Sequence, residues 1–243
     1  MTDSGIRKDV AESKYGNRKR KCDLTSLLCD TPESYYWMGF IAADGNFVSN
    51  RIRLTIRDTD SQQIIKLKKF VGWTGKYNSS ETIRNGNKFC HFSCRSQKVF
   101  RLMEKFDLHY RKTYNPPDPE KMHFPSEDLF VSVLIGFIDG DGCIFRSGNS
   151  VLLKLTLHGT WFIFLEYLKN VLQKCVRVNI TSSVHFTKKG YANLVICDKE
   201  VMDFLKKRAI SLQLPYLKRK WKKVDLRKAT FKQKWNKKHT KIC

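Results

Sequence analysis

The stretch WMGFIAADG, residues 37–45, decides the fold of this chain, because a near copy, LIGFIDGDG, recurs 97 residues later at residues 134–142. Each copy is an apolar helical segment that ends abruptly in Asp-Gly. A glycine directly after the last helical residue is a common helix stop. The two copies therefore predict two equivalent helices that end in Asp44 and Asp141.

Small residues four positions apart mark one face of each predicted helix. They are Gly39 and Ala43 in the first copy and Gly136 and Gly140 in the second. Residues at this spacing lie on one helix face, and their small size lets two backbones approach closely. If the helices pack through these faces, Asp44 and Asp141 lie side by side at the same end. A single Asp-Gly usually marks only a turn, whereas the duplicated pair predicts a two-carboxylate site.

The remainder of the chain repeats around these two helices. Each half reads as a helix, two strands, a helix, two strands and a final helix, with matched landmarks 97 to 106 residues apart. The strands at residues 51–57 and 153–158 both alternate strictly between apolar and polar side chains. This alternation predicts antiparallel sheets with one covered and one open face. The predicted fold class is α+β, with two pseudo-symmetric αββαββα units that arose by internal duplication.

The charge of the chain indicates a polyanionic partner. Its 243 residues include 46 Lys and Arg against 23 Asp and Glu, which gives a net charge of +23. Nucleic acid is the first candidate partner and an anionic membrane surface the lesser one. No apolar run approaches the roughly 20 residues of a membrane span, so we expect no membrane partner. Eight cysteines without CxxC spacing predict a reduced, intracellular protein in a microbial or phage-infected cytoplasm, an organelle or the nucleus.

The open faces of the predicted sheets carry basic and hydrogen-bonding side chains. In the second half, one long strand is predicted from residue 176 to residue 185. The predicted DNA-binding residues are Arg51, Arg53, Arg57 and His91 in the first half and Lys154, His158, Arg177, Asn179, Thr181 and His185 in the second. A two-stranded β-ribbon fits the major groove of DNA, where such side chains can bind base edges and phosphates.

Composition divides the chain into five segments. Residues 1–30 form a basic arm, which is a solvated tail, a DNA-contacting arm or a nuclear address. Residues 31–115 and 126–217 form the two halves, and residues 116–125 form a Pro-rich linker, because clustered prolines interrupt helices and central strands. Residues 218–243 form a C-terminal tail with twelve Lys or Arg and one acid. This tail is either solvated or bound to the phosphate backbone.

The paired carboxylates indicate a chemistry. Hydrolysis of a phosphodiester needs an activated water and neutralisation of charge on the scissile phosphate and the leaving oxygen. Divalent metal ions supply both, and Mg²⁺ prefers carboxylate oxygens, with Mn²⁺ as the expected substitute. Two converging aspartates in a duplicated chain predict two pseudo-symmetric sites, one for each strand of a duplex.

The two motifs resemble the signature of the LAGLIDADG homing endonucleases, in the monomeric form with both motifs in one chain. The resemblance covers residues from about 31 to 220. It implies motif helices packed at the interface of the two units and antiparallel sheets that form a DNA-binding saddle. It also implies that Asp44 and Asp141 bind the metal and act in catalysis, together with the backbone carbonyls of Ala43 and Gly140.

The resemblance further implies a catalytic basic residue near the end of the fourth strand of each half. Arg95 or Lys98 is the candidate in the first half, and Lys199 is the nearest candidate in the second. The earlier motif acid is Asp139 in the second copy but Ala42 in the first. That position is not a metal ligand in the family, so the departure leaves the metal prediction unchanged.

Three functions are consistent with these features. The first is a Mg²⁺-dependent, site-specific double-strand DNA endonuclease that acts as a monomer on a long target site. The second is a maturase that assists splicing of its host intron, with intron RNA as partner. The third is a DNA-binding regulator built on a catalytically inactive copy of the fold. The retention of both Asp44 and Asp141 favours the endonuclease.

Overall fold

The computed structural model describes residues 22–74, 82–84, 86–148, 150–177 and 182–225. The first half contains α1 (Thr25–Leu28), α2 (Pro32–Asp44), β1 (Gly45–Val48), β2 (Arg51–Arg57), α3 (Ser61–Phe70), β3 (Thr82–Arg84), β4 (Asn87–Arg95) and α4 (Lys98–Lys105). The second half contains α5 (Glu127–Asp141), β5 (Gly142–Ser147), β6 (Ser150–His158), α6 (Phe162–Val176), β7 (Ser183–Phe186), β8 (Tyr191–Ile196) and α7 (Lys199–Ser211). Residues 218–225 form one more helix, α8.

The two halves share one topology. The first sheet has the strand order β1-β2-β4-β3, and the second has the matching order β5-β6-β8-β7. All strand pairs are antiparallel. This arrangement confirms the predicted α+β class with two αββαββα units, and it places the two motif helices at equivalent positions.

The motif helices begin at the residues that the sequence indicates. The Thr31 side chain accepts a hydrogen bond from the Ser34 amide, and Pro32 occupies the first helical position of α2. Ser126 caps α5 in the same way by accepting from the Leu129 amide at 3.3 Å. These caps satisfy amides that have no partner within the helix. Both helices are buried on nearly all sides, because each contacts the other helix and its own sheet.

Backbone-to-backbone contact between α2 and α5 holds the two halves together. A methyl group added at Gly39 would lie 2.0 Å from the carbonyl oxygen of Val133. One added at Gly136 would lie 1.9 Å from the carbonyl oxygen of Tyr36. Such distances are shorter than any van der Waals contact, so only glycine fits at either position. The predicted face of small residues is therefore the interface itself.

Alternate strand residues build the core of each half. Ile52, Leu54 and Ile56 of β2 are buried, and α3 packs against the neighbouring β4. In the second half, Leu153 and Leu155 of β6 are buried, and α6 packs on β7 and β8. One face of each sheet is thus covered by helices, as the period-two alternation predicts.

The basic N-terminal arm predicted for residues 1–30 is shorter than expected. Residues 22–30 belong to the folded first half, since Leu24, directly before α1, and Leu27 of α1 are both fully buried in its core. Lys98 and Lys105 of α4 form ion pairs with Asp23 and Asp30 of this segment. The charge density of the arm concealed these two apolar residues. Its Arg-Lys cluster at residues 18–21 lies outside the described residues.

The strand predicted from residue 176 to residue 185 is wrong over its first part. Val176 is the last residue of α6, and Arg177 caps that helix in the left-handed conformation, with φ 59°. The described strand β7 begins at Ser183. The alternation of apolar and polar residues therefore extends into residues that belong to the end of α6 and does not mark a strand there. Asn179 and Thr181 lie outside the described residues, as does most of the strand predicted near residues 74–79.

The C-terminal tail predicted for residues 218–243 is folded at its beginning. Helix α8 buries Trp221 completely and leaves Lys220 only 8% exposed. Lys223 donates a hydrogen bond to the carbonyl of Ile144 at 2.8 Å, which fixes the helix against β5. Trp221, an aromatic residue among these lysines, is thus a core residue. Residues 218–225 are therefore not a solvated tail, and contact of this segment with the phosphate backbone stays a prediction.

Two further findings concern cysteines and membranes. Cys22 and Cys94 form a disulfide with a Cα–Cα distance of 6.8 Å, in contrast to the reduced state predicted for the cysteines. The pairing joins the segment before α1 to β4, two elements 72 residues apart.

Within the described ranges, no helix combines the length and the apolar character that crossing a membrane requires.

The glycine contact predicts a large effect of a single methyl group. We expect Gly136→Ala to lower the free energy of unfolding by about 3 kcal/mol or more, because overpacking of a tight backbone contact forces the helices apart. Chemical denaturation followed by circular dichroism measures this change. Lys207→Ala on the exposed face of α7 is the control, and we expect a change within about 0.5 kcal/mol. Equal stability of Gly136→Ala and the wild type would contradict the described interface.

Candidate functional site

Asp44 and Asp141 are the last helical residues of α2 and α5, and their helix ends touch. A methyl group added at Gly140 would lie 2.3 Å from Cβ of Ala43 and 3.5 Å from Cγ of Asp44. After each aspartate, the chain enters a strand without an intervening loop. The structure thus brings the two predicted aspartates together at the same end of the helix pair.

Close contacts, and not a left-handed backbone conformation, require the glycine after each aspartate. Gly45 and Gly142 are both extended, with φ of −79° and −76°. A methyl group on Gly45 would lie 2.4 Å from the carbonyl oxygen of Ile41, and one on Gly142 would lie 2.5 Å from that of Ile138. Each glycine lets the strand leave directly from the helix end, which keeps the preceding aspartate at the junction.

The surroundings of the two aspartates disfavour their charged forms. Desolvation and the nearby negative charge of Asp141 raise the pKa of Asp44 to about 6. Desolvation also raises the pKa of Asp141. Both carboxylates lie at helix C-termini, where the partial charge of the helix is negative as well. The junction therefore concentrates negative charge and favours a bound cation.

Two lysines lie at this junction. Lys112 donates a hydrogen bond to the carbonyl of Ala43. Lys220 donates to the carbonyls of Gly140 at 3.1 Å and Gly142 at 2.8 Å. The positive charges of both lysines lower the pKa of the two aspartates, against the stronger effect of burial. Burial in turn lowers the pKa of each lysine.

Each lysine arrives on a segment that follows the last helix of one half. Lys112 lies in the connection between α4 and α5, and the Trp161 indole of the second half donates to the carbonyls of Lys112 and Thr113 at 3.1 Å each. Lys220 lies in α8, and Arg219 beside it forms a two-bond ion pair with Asp60 of the first half. Each segment thus crosses onto the opposite half.

The predicted catalytic bases lie elsewhere. Lys98 forms an ion pair with Asp23 at 2.5 Å, and Arg95 lies on the open face of β4 opposite Arg51. Lys199 is an exposed residue at the start of α7. None of these three is among the charges that shift the pKa of the two aspartates. The lysines that lie at the junction are instead Lys112 and Lys220.

The repeat spacing in the sequence gives an indirect indication of the two lysines at the junction. Leu108 and Leu214 follow α4 and α7 at matching positions, 106 residues apart, and both are buried. The same spacing pairs Lys112 with Lys218, which is exposed. Lys220, two residues further on, is the lysine at the site. The helical conformation of α8 decides between these two lysines, because it directs the side chain of residue 220 inward and that of residue 218 outward.

The donor set at the junction fits a hard divalent cation. In the part of the chain that the structure describes, no group of three or more His, Cys, Asp or Glu side chains could hold a metal ion. Mg²⁺ commonly uses one or two carboxylates, with water and substrate phosphate as its other ligands. The carbonyls of Ala43 and Gly140 already accept hydrogen bonds from ammonium groups. These oxygens therefore face positive charge in this structure.

The open face of the first sheet is strongly basic. Strand register places Arg51 opposite Arg95, Arg53 opposite Ser93, and Thr55 opposite His91. The Thr55 hydroxyl and His91 Nδ1 lie 2.9 Å apart. Arg53 and Arg57 are exposed, as predicted. This face therefore presents guanidinium groups in a row along β2.

The open face of the second sheet carries a polar cluster. The Thr156 hydroxyl donates to the side-chain oxygen of Asn193 at 2.7 Å, and the Asn193 amide lies 3.4 Å from His185 Nε2. Lys154 and His158 lie on the same face of β6. Asn193 was missed because β8 reads as an apolar strand. The side chain of Asn193, near the middle of β8, forms hydrogen bonds with both neighbouring strands, β6 and β7.

Comparison with solved structures identifies the fold. The meganuclease I-SmaMI, bound to uncleaveable DNA, has a TM-score of 0.55 and 14% identity, over 84% of this chain and 92% of that chain. The LAGLIDADG homing endonuclease I-GzeII, in complex with its DNA target, has a TM-score of 0.51 and 12% identity, over 86% and 92%. Full-length DUF199/WhiA from Thermatoga maritima has a TM-score of 0.53 and 17% identity, over 83% and 61%.

The chain therefore has the LAGLIDADG fold, which confirms the resemblance of its two motifs at the level of fold. No model of a protein family matches the sequence, and no curated protein matches it. Both nucleases and DUF199/WhiA have this fold. The activity must consequently be argued from the site.

The raised pKa of Asp44 predicts a pH-dependent stability. Its value of about 6 in the folded state lies above the ordinary 3.8. The folded state then binds protons more tightly than the unfolded state, so this group lowers stability as the pH rises from about 4 through about 6. In metal-free buffer we expect Asp44→Asn to melt at a higher temperature than the wild type at pH 7. The difference should shrink as the pH falls towards 4.

Thermal denaturation across this pH range measures the effect. Glu104→Gln removes the same charge from an exposed position on α4 and serves as the matched control, for which we expect no such trend. An Asp44→Asn protein that is no more stable than the wild type at pH 7 would refute the electrostatic description of the junction.

Proposed function

We propose that this protein is a site-specific double-strand DNA endonuclease that hydrolyses phosphodiester bonds with a bound divalent metal, Mg²⁺ or in its place Mn²⁺. One observation carries the proposal: Asp44 and Asp141 lie at touching helix ends, each beside a lysine. A structural role does not explain this arrangement, because it places like charges together at the negative ends of two helices. A cation and a phosphate substrate would use it.

Each residue of the junction has a role in this proposal. Asp44 and Asp141 would hold the metal, and the carbonyls of Ala43 and Gly140 would be further ligands once they exchange their hydrogen bonds from Lys112 and Lys220 for the metal. When bound, such a metal would supply an activated water and neutralise charge on the phosphate. Lys112 and Lys220 orient the scissile phosphates and stabilise the negative charge that develops on them. Burial strengthens this interaction, since charges attract more strongly where water is excluded.

The duplicated architecture suits a duplex substrate. Each half contributes one aspartate and one sheet, and each crossing segment contributes one lysine. We infer that Lys112 serves one strand and Lys220 the other, each together with an aspartate of the junction. Because both motifs are in one chain, a monomer contains the whole site.

The open faces of the two sheets are the proposed DNA-binding surface. Arginine can bind guanine edges with two hydrogen bonds, and asparagine can bind adenine in the same way. Arg53 and His185, both exposed, are therefore candidates for base contacts. The net charge of +23 adds attraction to the phosphate backbone. Intron RNA is a second candidate partner through the same basic surface.

Binding without cleavage is the second candidate function. The fold similarity to DUF199/WhiA, which is not named as a nuclease, favours it. The two functions make opposite predictions for Asp44 and Asp141: a regulator needs neither carboxylate, whereas an endonuclease needs both. Cleavage in the presence of a divalent metal therefore discriminates between them.

The test uses DNA that the protein itself selects. The double variant Asp44→Asn/Asp141→Asn binds without cutting if the proposal is correct, so it can enrich target duplexes from a randomised pool. We expect the wild type to cut these duplexes on both strands in Mg²⁺ and to leave them intact in EDTA. Each single Asp→Asn variant should lose double-strand cleavage about a thousandfold or more, since it lacks a metal ligand.

Glu104→Gln is again the control, with cleavage expected to equal that of the wild type. Gel analysis of end-labelled strands provides the measurement. Intact DNA with the wild type in both Mg²⁺ and Mn²⁺, despite tight binding, would establish the binding-only alternative. Normal double-strand cleavage by Asp44→Asn would instead remove Asp44 from the metal site.

A second prediction tests the binding surface. We expect Arg53→Ala to weaken DNA binding and to reduce the slope of log affinity against log salt by about 1, if Arg53 contacts a phosphate. Arg101→Ala removes the same charge from an exposed position on α4, the helix that follows β4. Its salt slope should stay within error of the wild type. Fluorescence anisotropy titrations at several salt concentrations measure both. Equal losses for the two variants would exclude the open sheet face as the binding surface.

A further inference from the structure

Asp139 is a buried carboxylate that the proposed chemistry does not use. It is only 1% exposed, and both of its oxygens accept hydrogen bonds. Oδ2 accepts from the Tyr36 hydroxyl at 2.9 Å and from the Leu217 amide at 2.7 Å. Oδ1 accepts from the Trp221 indole at 2.8 Å. A buried charge of this kind is stable only when such donors surround it.

The donors to Asp139 show what this carboxylate holds. Leu217 directly precedes α8, and Trp221 lies one turn into it. Lys220 lies between these two anchor points, and its ammonium group lies among the carbonyls at the end of α5. The side chain of Asp139 therefore fixes the helical turn that carries Lys220 to the junction.

Residues of the first half also form hydrogen bonds that hold the segment leading into α8. Gln63 of α3 donates to the Tyr36 hydroxyl and to the Pro215 carbonyl, both at 2.7 Å. Lys66 also donates to the Pro215 carbonyl, at 3.2 Å. The path from α3 through Tyr36 to Asp139 is thus continuous, and it ends at the segment that places Lys220.

The first motif has no equivalent device. The position that matches Asp139 is Ala42, which lines a small apolar cavity with Leu108, Pro117 and Trp161. Lys112 is held instead by the Trp161 indole, which donates to the Lys112 and Thr113 carbonyls. The two lysines are therefore placed by different contacts, which can be broken independently.

We propose that Asp139 is a positioning residue for Lys220, so that removing its carboxylate converts the enzyme into one that nicks a single, defined strand. The inference rests on the proposed function, because it assigns Lys220 to one strand and Lys112 to the other. Loss of the carboxylate leaves the Tyr36, Leu217 and Trp221 donors without a partner, and the first turn of α8 loses its anchor.

The expected result is specific to one strand. Asp139→Ala should slow cleavage of one strand about a hundredfold, as expected for a reacting group displaced by about 1 Å. Cleavage of the other strand should change less than about threefold. Lys220→Met should slow the same strand as Asp139→Ala, and Lys112→Met should slow the opposite one. Single-turnover cleavage of duplexes labelled on either strand measures all four proteins, including the wild type.

A compensating pair of changes separates positioning from simple damage. Asn at position 139 retains one acceptor, but its amide group faces a donor. We expect Asp139→Asn to slow the same strand as Asp139→Ala and Asp139→Asn/Trp221→Phe to recover part of the rate, because the second change removes the indole donor. Trp221→Phe alone measures the cost of losing the indole. Equal slowing of both strands by Asp139→Ala, with a melting temperature near that of the wild type, would overturn the inference while leaving the endonuclease proposal intact.

A second measurement does not depend on cleavage. Lys220 is 8% exposed, so its amine should react slowly with an acylating reagent in the wild type. We expect Asp139→Ala to raise its labelling rate at least about tenfold, measured by mass spectrometry below the melting temperature, with exposed Lys207 as the internal reference. If the wild type cuts no DNA but this rate rises, the endonuclease proposal fails and the positioning role stands. An unchanged rate refutes the positioning role in either case.

Discussion

The structure depends on one close contact between two helix backbones. Gly39 and Gly136 allow α2 and α5 to approach until the carbonyls of Val133 and Tyr36 leave no room for a side chain. This contact unites the two halves and brings both helix C-termini to one point. The approach of Asp44 to Asp141 follows directly from it. The interface and the site therefore depend on the same residues.

This approach has an electrostatic cost that the rest of the molecule offsets. Two carboxylates and two helix C-termini meet in partly desolvated surroundings. Lys112 and Lys220 bring positive charge to that point, each on a segment that crosses to the opposite half. The crossing segments thus have two effects: they fasten the halves to each other, and they supply the charges that a phosphate substrate would meet. The raised pKa of Asp44 indicates that the lysines compensate only in part.

The departures from symmetry are concentrated around the crossing segments. Asp139 anchors one of them through buried hydrogen bonds, whereas Ala42 occupies the matching position beside an apolar cavity. The sheets differ as well: the first presents a row of arginines, and the second presents a polar cluster around Asn193. A duplicated fold with unequal faces suits a target sequence that is not a palindrome.

The sequence by itself determined the fold class, the ends of the two motif helices, the two aspartates and the alternation of β2 and β6, because each follows from local periodicity or the duplicated motif. It did not identify Lys220, Asn193 or the buried part of the N-terminal segment. Lys220 and the N-terminal segment depend on packing between elements more than 70 residues apart in the chain. Asn193 depends on the pairing of β8 with β6 and β7, and the apolar composition of β8 gave no sign of its polar centre. Only the tertiary structure decided which lysines lie at the junction, because α8 directs residue 220 inward and residue 218, two positions earlier, outward.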